Sequence, residues 1–347
     1  MELSMRQTSY LLAGVLAMCA ATAFAQPYRS AMTELSIADV EGKRDLSGFI
    51  WYPTDATGPE TYDFESEVWV GTKVVKDAAP ATSRFPLVVV SHGMFGNAYN
   101  QAWLAGALAQ RGYIVAAISH PGTSTWSRDP DLTRQLWERP RDISRVIDHV
   151  TGASDFSQYV DSDRIYMAGH SLGGFTAVAL AGARYDATGL SQFCDTQPDE
   201  LACGILSGWK IAQTPEDRVQ MEADLSDRRI KAFAVFDLGG TQSFSGTSLR
   251  QIDRPMLVFG APIMNSGLTL DIESRALIAA LPESNSRYIE PKTLSHFDFL
   301  GRCKPGGYEL LAKEEPGDEI ICADGGTARA DKHEMIIDAV TDFFSNS

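Results

Sequence analysis

Apolar and polar blocks alternate along most of the chain in a way that predicts strands alternating with helices. Continuous apolar runs of strand length, rich in β-branched residues, are typical of strands buried on both faces of a sheet. Such runs lie at 85–93, 113–122, 164–171, 230–238, 255–262 and 286–291. Helical patterns lie at 97–112, 131–150 with a break near Pro140, 173–183, about 271–281 and 331–344. This alternation predicts an α/β fold with a mostly parallel sheet covered by helices on both faces.

Two segments interrupt the alternation. Residues 31–80 have strand-like patterning without helices, so we expect antiparallel strands at an edge of the sheet. Residues 186–229 are polar and fall between a predicted helix and the next predicted strand, which indicates a small cap inserted over one end of the sheet. Neither a repeat nor a long linker divides the rest, so we expect 26–347 to be a single domain.

The N-terminus has the features of an export signal. An apolar run at 10–23 follows Arg6 and ends in Ala-Phe-Ala at 23–25, which predicts a signal peptide over 1–25 and a periplasmic or secreted protein. The run is short for a membrane span, so no stable membrane anchor is expected. The alternatives are an uncleaved anchor or a lipid on Cys19, and translation could start at Met1 or Met5.

The cysteine count is informative once the signal is removed. The sequence has five cysteines, and Cys19 lies in the predicted signal. The other four form two local pairs, Cys194 with Cys203 and Cys303 with Cys322, and pairing is the default in an oxidising compartment. Neither pair has the spacing or the neighbouring histidines of a zinc site, so we expect no metal.

The composition narrows the possible partners. Hydrophobic residues make up 44% of the 347 residues and charged residues 22%, which is typical of a globular protein. The formal net charge of −15 argues against a nucleic-acid partner and against strongly anionic polymers as substrates. The oligomeric state is left open.

The candidate chemistry centres on Ser171. It lies in a G-x-S-x-G motif at 169–173, between a predicted strand and a predicted helix rich in small residues. This context is that of a nucleophile elbow, in which the glycines let the strand and helix approach closely. A Gly-rich packing turn is the alternative interpretation.

A serine nucleophile needs a base, and in this kind of fold the histidine follows the nucleophile in the chain. Of the six histidines, two follow Ser171 in the chain, His296 and His333. His296 comes just after the last predicted strand, where a loop can reach the elbow, so we expect it to be the base. His333 lies in an amphipathic helical pattern and is interpreted as a surface position. His170, inside the elbow, is interpreted as structural.

Three aspartates are candidates for the third member of a triad. Asp237 closes an otherwise apolar strand, where a carboxylate needs a partner, so it is the preferred candidate. Asp271 follows the next strand after a long loop, and its alternative role is helix N-cap. Asp298 is too close to His296 in sequence for an easy triad contact.

An oxyanion requires backbone donors near the nucleophile. The N–H of Leu172, directly after Ser171, is one candidate. The other is the N–H of Met94, in the 91–96 loop that follows the first central strand. His92 in that loop is interpreted as a structural residue.

These residues together resemble a known group. The segments VVVSHGMFGN, RGYIVAAISHPG, AGHSLGG, FDLGG and SHFDF resemble the α/β-hydrolase superfamily, and more closely the platelet-activating-factor acetylhydrolases and exported dienelactone hydrolase-like proteins. The resemblance runs from about residue 45 to the C-terminus. In that group the acid follows the strand after the elbow helix, which matches Asp237. Dienelactone hydrolases proper have a cysteine nucleophile and an acid one strand later, so their substrate is not implied.

The resemblance implies hydrolysis of small carboxylic esters with short or modified acyl chains, without metal or cofactor. An amidase or polymer hydrolase with the same triad is the alternative, and a non-catalytic binding domain is the third class. Within the cap, Phe193 and Trp209 are candidates for an apolar pocket, as are Trp126 and Trp137 elsewhere, although each is equally suited to ordinary packing.

Overall fold

A computed structural model describes residues 28–323 and 326–347. The predicted signal peptide lies outside the described residues. Ten strands in the described part form one sheet in the order β10-β9-β8-β7-β5-β6-β2-β1-β4-β3. They are β1 (Arg29–Ile37), β2 (Leu46–Thr54), β3 (Thr61–Asp63), β4 (Thr72–Lys76), β5 (Phe85–Ser91), β6 (Ile114–Ser119), β7 (Val160–His170), β8 (Ile230–Phe236), β9 (Met256–Phe259) and β10 (Ser286–Ile289).

Helices cover both faces of this sheet. The α-helices of the described residues are α1 (Ala102–Gln110), α2 (Pro130–Arg134), α3 (Glu138–Asp148), α4 (Leu172–Leu180), α5 (Ala187–Thr196), α6 (Leu201–Gly208), α7 (Pro215–Met221), α8 (Gly246–Leu249), α9 (Ser274–Ala280), α10 (Gly307–Glu314) and α11 (Gly326–Ser345). The six strands from β10 to β6 in the sheet order are parallel, so the predicted α/β fold with a mostly parallel sheet is confirmed.

The central strands are apolar throughout because both of their faces are buried. In β5, Leu87 and Val89 pack in one core cluster with α3, α4 and α9, whereas Val88 and Val90 pack in a second cluster with α1 and α11. All seven residues of β5 are buried. The continuous apolar run in the sequence is therefore a direct consequence of helices on both sides.

The edge strands differ in one respect from the prediction. β1 pairs antiparallel with β2 as expected, but β4 runs parallel to β1. The reason is topological: β3 continues in the direction of β2, and a hairpin then reverses the chain into β4. β4 therefore points the same way as β1.

Some helix boundaries also differ from the prediction. The predicted break near Pro140 falls at 135–137 instead, between α2 and α3. Pro140 lies in the first turn of α3, where its missing N–H removes no intrahelical hydrogen bond. α1 begins at Ala102 rather than near Asn97, because the chain between them forms turns. Among the described helices, none combines the length and apolar character needed to cross a membrane.

Candidate active site

Ser171 occupies a sharp turn between β7 and α4. Its backbone has φ 53° and ψ −117°, a strained conformation for a residue with a side chain. A Cβ atom added at Gly173 would lie 1.9 Å from the carbonyl oxygen of Ser91, and one at Gly169 would lie 2.1 Å from the carbonyl oxygen of Gly173. Only glycine fits at these two positions, which explains the spacing of the motif.

Asp237 and His296 form a buried hydrogen-bonded pair. His296 Nδ1 lies 2.8 Å from Asp237 Oδ2, and the two residues are 6% and 4% exposed. The carboxylate accepts the Nδ1 proton, so Nε2 is the ring nitrogen left to act as a base. The other oxygen, Asp237 Oδ1, accepts hydrogen bonds from the Ala261 N–H at 3.0 Å and the Ser274 hydroxyl at 3.2 Å.

Both partners are positioned by their local backbone. Asp237 directly follows β8 with φ 41°, a turn that redirects its side chain at the strand end. His296 begins a short 3₁₀ helix, His296–Phe299, with a capping box between Ser295 and Asp298. Asp298 also pairs with Lys332 at 2.7 Å, so this aspartate anchors the histidine loop to α11.

His170 contributes to the same anchoring. Its Nε2 donates to the carbonyl oxygen of His296 at 2.9 Å. Burial holds the pKa of His170 well below its usual value, so the ring is neutral. These contacts fit the structural role expected for this residue.

The 91–96 loop lies directly against Ser171. A Cβ added at Gly93 would lie 3.2 Å from the Cβ of Ser171. The N–H groups of Phe95 and Gly96 donate to the carbonyl oxygens of Thr123 and Gly93. Met94 and Leu172, the two proposed oxyanion donors, line the same cavity as Ser171 and His296.

The alternative residues lie elsewhere. The side chain of Asp271 is 76% exposed and pairs with Arg275 at 2.7 Å, and the N-cap position of α9 is held by Glu273. The interpretation of His333 as a surface position is wrong: it is 5% exposed, and its ring stacks on Trp103 at 3.6 Å.

The burial of His333 could have been found in the sequence. His333 shares an apolar helix face with Ile336, Ile337 and Val340, which lie three, four and seven residues further on. Burial lowers its pKa to about 3, and its Nε2 contacts the carbonyl oxygens of Asp298 and Leu300.

Ser171 and His296 open into a cavity of about 480 Å³. The predicted cap forms one wall through α6, and Trp209, just after α6, lines the cavity as expected. Trp137 belongs to the core and Trp126 is 65% exposed. The main cavity-lining apolar residues are Trp69, Phe95, Phe175, Leu201, Ala202, Ile205, Leu206, Leu268, Phe297, Leu300, Leu311 and Ile321.

A second wall was missed in the sequence. It comes from α10 and the 3₁₀ helix Asp318–Cys322, which contribute Leu311, Glu315, Asp318 and Ile321. The only sequence signal for this wall was the pair Cys303 and Cys322, which closes the segment into a loop.

Both expected cysteine pairs are bonded in the structure. Cys194–Cys203 links α5 to α6, and Cys303–Cys322 closes the loop that contains α10. Each disulfide therefore belongs to a wall of the cavity. Across 28–323 and 326–347, we find no cluster of three or more His, Cys, Asp or Glu side chains arranged to hold a metal.

Glu273 is a buried acid next to the pair that the sequence did not single out. It is 2% exposed, and its carboxylate accepts a hydrogen bond from the Thr241 N–H at 2.7 Å. Burial is the largest cause that raises its pKa to about 7, and the nearby Asp237 raises it further. It adjoins Ser274, which holds Asp237.

Comparisons with known proteins agree with this geometry. The model of the alpha/beta hydrolase family matches residues 87–302. The bis(hydroxyethyl) terephthalate hydrolase of Streptomyces coelicolor is 29% identical over 158 residues, which cover 46% of this chain and 40% of that protein. A cutinase of Thermobifida alba is 30% identical over 101 residues, 28% of this chain and 31% of the relative. The chain thus spans well under half the length of either relative.

A solved structure supports the fold over nearly the whole chain. The ferulic acid esterase of Streptomyces cinnamoneus has a TM-score of 0.61, with 21% identity, and the match covers 94% of this chain and 92% of that one. At this identity the likeness concerns the fold alone.

Proposed function

Because the chain belongs to the alpha/beta hydrolase family, we propose that it is a serine hydrolase that cleaves carboxylic esters. Ser171 is the nucleophile, His296 the base and Asp237 the residue that orients the base. The observation that carries the proposal is the buried 2.8 Å Asp237–His296 hydrogen bond, because its histidine lines the same cavity as the strained Ser171.

The reaction follows from the roles of these atoms. His296 Nε2 accepts the proton of Ser171 Oγ, which attacks the ester carbonyl carbon. The N–H groups of Met94 and Leu172 donate to the resulting oxyanion. His296 then gives the proton to the leaving alcohol, and an acyl-enzyme remains. Water, deprotonated by His296, attacks the acyl carbon and releases the acid and Ser171.

The cavity favours an apolar acyl group of limited size. Its volume of about 480 Å³ lies in the range of small-molecule pockets, and its walls are mainly aliphatic and aromatic. Esters with short or modified acyl chains, as in platelet-activating-factor acetylhydrolases, are the substrates that we propose. The relatives support ester chemistry, since they are named as a terephthalate diester hydrolase and a cutinase.

A polymer hydrolase with the same triad is the second candidate, because cutinases are among the relatives. The two walls around Ser171 argue for small substrates, since a polymer chain needs an open groove. An amidase with this triad is tested by the same experiment.

The experiment is a substrate panel on the wild type and Ser171→Ala. We expect turnover of p-nitrophenyl esters with a clear optimum in acyl length, little turnover of the matching anilides, and loss of all ester turnover in Ser171→Ala. A fluorophosphonate should label the wild type on the peptide that contains Ser171. Undiminished turnover in Ser171→Ala would contradict the mechanism, and preferred cleavage of polyester film or anilides would favour the alternatives.

We also propose that residues 1–25 direct export and are removed. The two disulfides fit an oxidising compartment. N-terminal sequencing of the protein from a periplasmic or extracellular fraction should begin at Gln26. A start at Met1 or Met5 in that fraction would contradict cleavage.

A further inference from the structure

A buried guanidinium lies directly behind the candidate oxyanion hole. Arg139, in the first turn of α3, is 1% exposed. Its four hydrogen-bond partners are all neutral oxygens: the hydroxyls of Thr176, Thr123 and Ser91, and the carbonyl oxygen of His92. A charge that is buried in this way without a carboxylate partner has a large desolvation cost, so its position calls for an explanation.

Two of these contacts reach the two halves of the hole. Arg139 Nη2 donates to the carbonyl oxygen of His92 at 2.5 Å, two residues before Met94. Arg139 Nε donates to Thr176 Oγ1 at 3.0 Å, and Thr176 Oγ1 in turn donates to the carbonyl oxygen of Leu172 at 3.0 Å. The rigid, planar guanidinium of Arg139 therefore connects two backbone segments. One is the 91–96 loop, which carries the Met94 N–H, and the other is the first turn of α4, which carries the Leu172 N–H.

A polar network fixes the guanidinium in place. The His120 ring donates from Nδ1 to Asp142 and accepts from the Ser91 hydroxyl at Nε2, and Ser91 Oγ accepts from Arg139. Asp142 is fully buried and also forms a bidentate pair with Arg44. The hydroxyl and carbonyl oxygens that accept from Arg139 fix the orientation of its guanidinium, and His120 and Asp142 in turn fix Ser91.

The loop itself is held by a second histidine. His92 Nδ1 donates to the Gly93 carbonyl oxygen at 2.6 Å, and His92 Nε2 accepts from the backbone N–H of His120 at 3.0 Å. Burial is the main cause that keeps the pKa of both histidines well below the usual value, with the charge of Arg139 as a further cause. Both rings are therefore neutral.

The network carries a net positive charge. The guanidinium groups of Arg139 and Arg44 face the single carboxylate of Asp142, and the histidines add no charge. Arg145, at 3.9 Å from Asp142, also pairs with Asp39 at 3.8 Å, so these two outer groups leave the balance unchanged. Negative charge that develops beside the 91–96 loop is therefore stabilised by an arrangement that exists before substrate binds.

We infer that Arg139 is a positioning residue for the oxyanion hole, in that its guanidinium joins the Met94 loop to the Leu172 turn and adds a fixed positive charge behind both. The inference rests on the proposed function, because it assigns a role in the same acyl-transfer step. Arg139 does not touch the substrate cavity; it acts through the two backbone segments.

The test compares Arg139→Met and Arg139→Lys with the wild type, using the best p-nitrophenyl ester of the panel. Arg139→Met should lower kcat about 100-fold and leave KM within about threefold, because an oxyanion acts in the transition state. Arg139→Lys keeps the positive charge but not the planar guanidinium. Its kcat should be at least about tenfold higher than that of Arg139→Met.

Arg254→Met is the matched control for lost stability. Arg254 also donates to backbone carbonyl oxygens, those of Leu180, Ala181, Asp227 and Ile230, but it lies away from the cavity. Its removal should lower the thermal midpoint without changing kcat per folded molecule.

Thr176→Val keeps the inference testable if Arg139→Met does not fold. This variant removes only the hydroxyl between Arg139 and Leu172, and we expect kcat to fall about tenfold at constant KM. A wild-type kcat in folded Arg139→Met, or in Thr176→Val, would overturn this inference and leave the proposed function intact. A wild type without esterase activity would overturn the proposed function and this inference with it.

Discussion

Asp237 and His296 lie 59 residues apart in the chain but share a buried hydrogen bond of 2.8 Å. Asp237 follows β8 and His296 follows β10, two parallel strands whose carboxyl ends lie at the same edge of the sheet as that of β7, which precedes Ser171. The sheet thus gathers three residues from distant parts of the sequence. The hydrogen bond to His296 also distinguishes Asp237 from Asp271, which pairs with Arg275.

The role of the acid can be tested by amide substitution. Asp237→Asn should lower kcat by about 10³–10⁴-fold, because an asparagine cannot stabilise the imidazolium or hold the same tautomer. Asp271→Asn should change kcat by less than about twofold, because the Asp271 side chain is 76% exposed and pairs with Arg275 on the surface. Steady-state kinetics with a p-nitrophenyl ester measure both. The reverse ranking would place the acid after β9.

The glycines of the elbow should not tolerate a larger residue, because an added Cβ atom would clash with the backbone. Gly173→Ala places a Cβ 1.9 Å from the carbonyl oxygen of Ser91, so the free energy of unfolding should fall by about 3 kcal/mol or more. Gly204→Ala in α6 is the control, since a Cβ there meets no atom within 4 Å and should stabilise the helix by about 0.5–1 kcal/mol. Urea unfolding followed by circular dichroism gives both values. Equal midpoints for Gly173→Ala and the wild type would refute the close approach.

Glu273 should make stability depend on pH. Its pKa is about 7 in the folded protein and near 4.5 when exposed, so the folded state binds more protons between these values. Its favourable contribution is complete below pH 4.5 and is lost as the pH rises through 7. Relative to Glu273→Gln, the wild type should therefore lose up to about 3 kcal/mol of unfolding free energy between pH 4.5 and pH 8. Urea titrations of both proteins across this range measure the difference, and a constant difference would contradict the raised pKa.

The wall formed by α6 should set the size of the acyl group. Ala202→Phe places a ring on the cavity side of this helix, and we expect the ratio of kcat/KM for octanoate over acetate esters to fall about tenfold or more. Ser207→Phe, at an exposed position of the same helix, is the control and should leave the ratio unchanged. If both variants behave alike, α6 does not shape the acyl pocket.

The fold was largely predictable because burial on both faces leaves a clear mark in the sequence. The apolar run of β5, with Leu87 and Val89 on one side and Val88 and Val90 on the other, could not come from a strand exposed to water. The glycines at 169 and 173 were equally informative, since only a tight strand–helix contact requires both. Helix ends were harder to place, because the residue types that favour a turn, such as Asn97 before α1, also favour a helix N-cap.

The parts that the sequence did not reveal depend on contacts between distant segments. Arg139 reads as an ordinary charged position in an amphipathic helix, and only the folded chain brings it to His92 and Thr176. The helix pattern around His333 indicates its burial, but its stacking partner Trp103 comes from α1, far away in the sequence. Glu273 was hidden for the same reason: its burial follows from the packing of α9 against the loop after β8.

The two disulfides have a consequence for when the walls of the cavity become fixed. Neither Cys194–Cys203 nor Cys303–Cys322 lies in the strands that gather Ser171, Asp237 and His296; both tie down the walls that surround them. The sheet can therefore bring these three residues together while both cysteine pairs are still reduced. On the proposed export, the two walls and any substrate preference that they impose would be fixed only after oxidation.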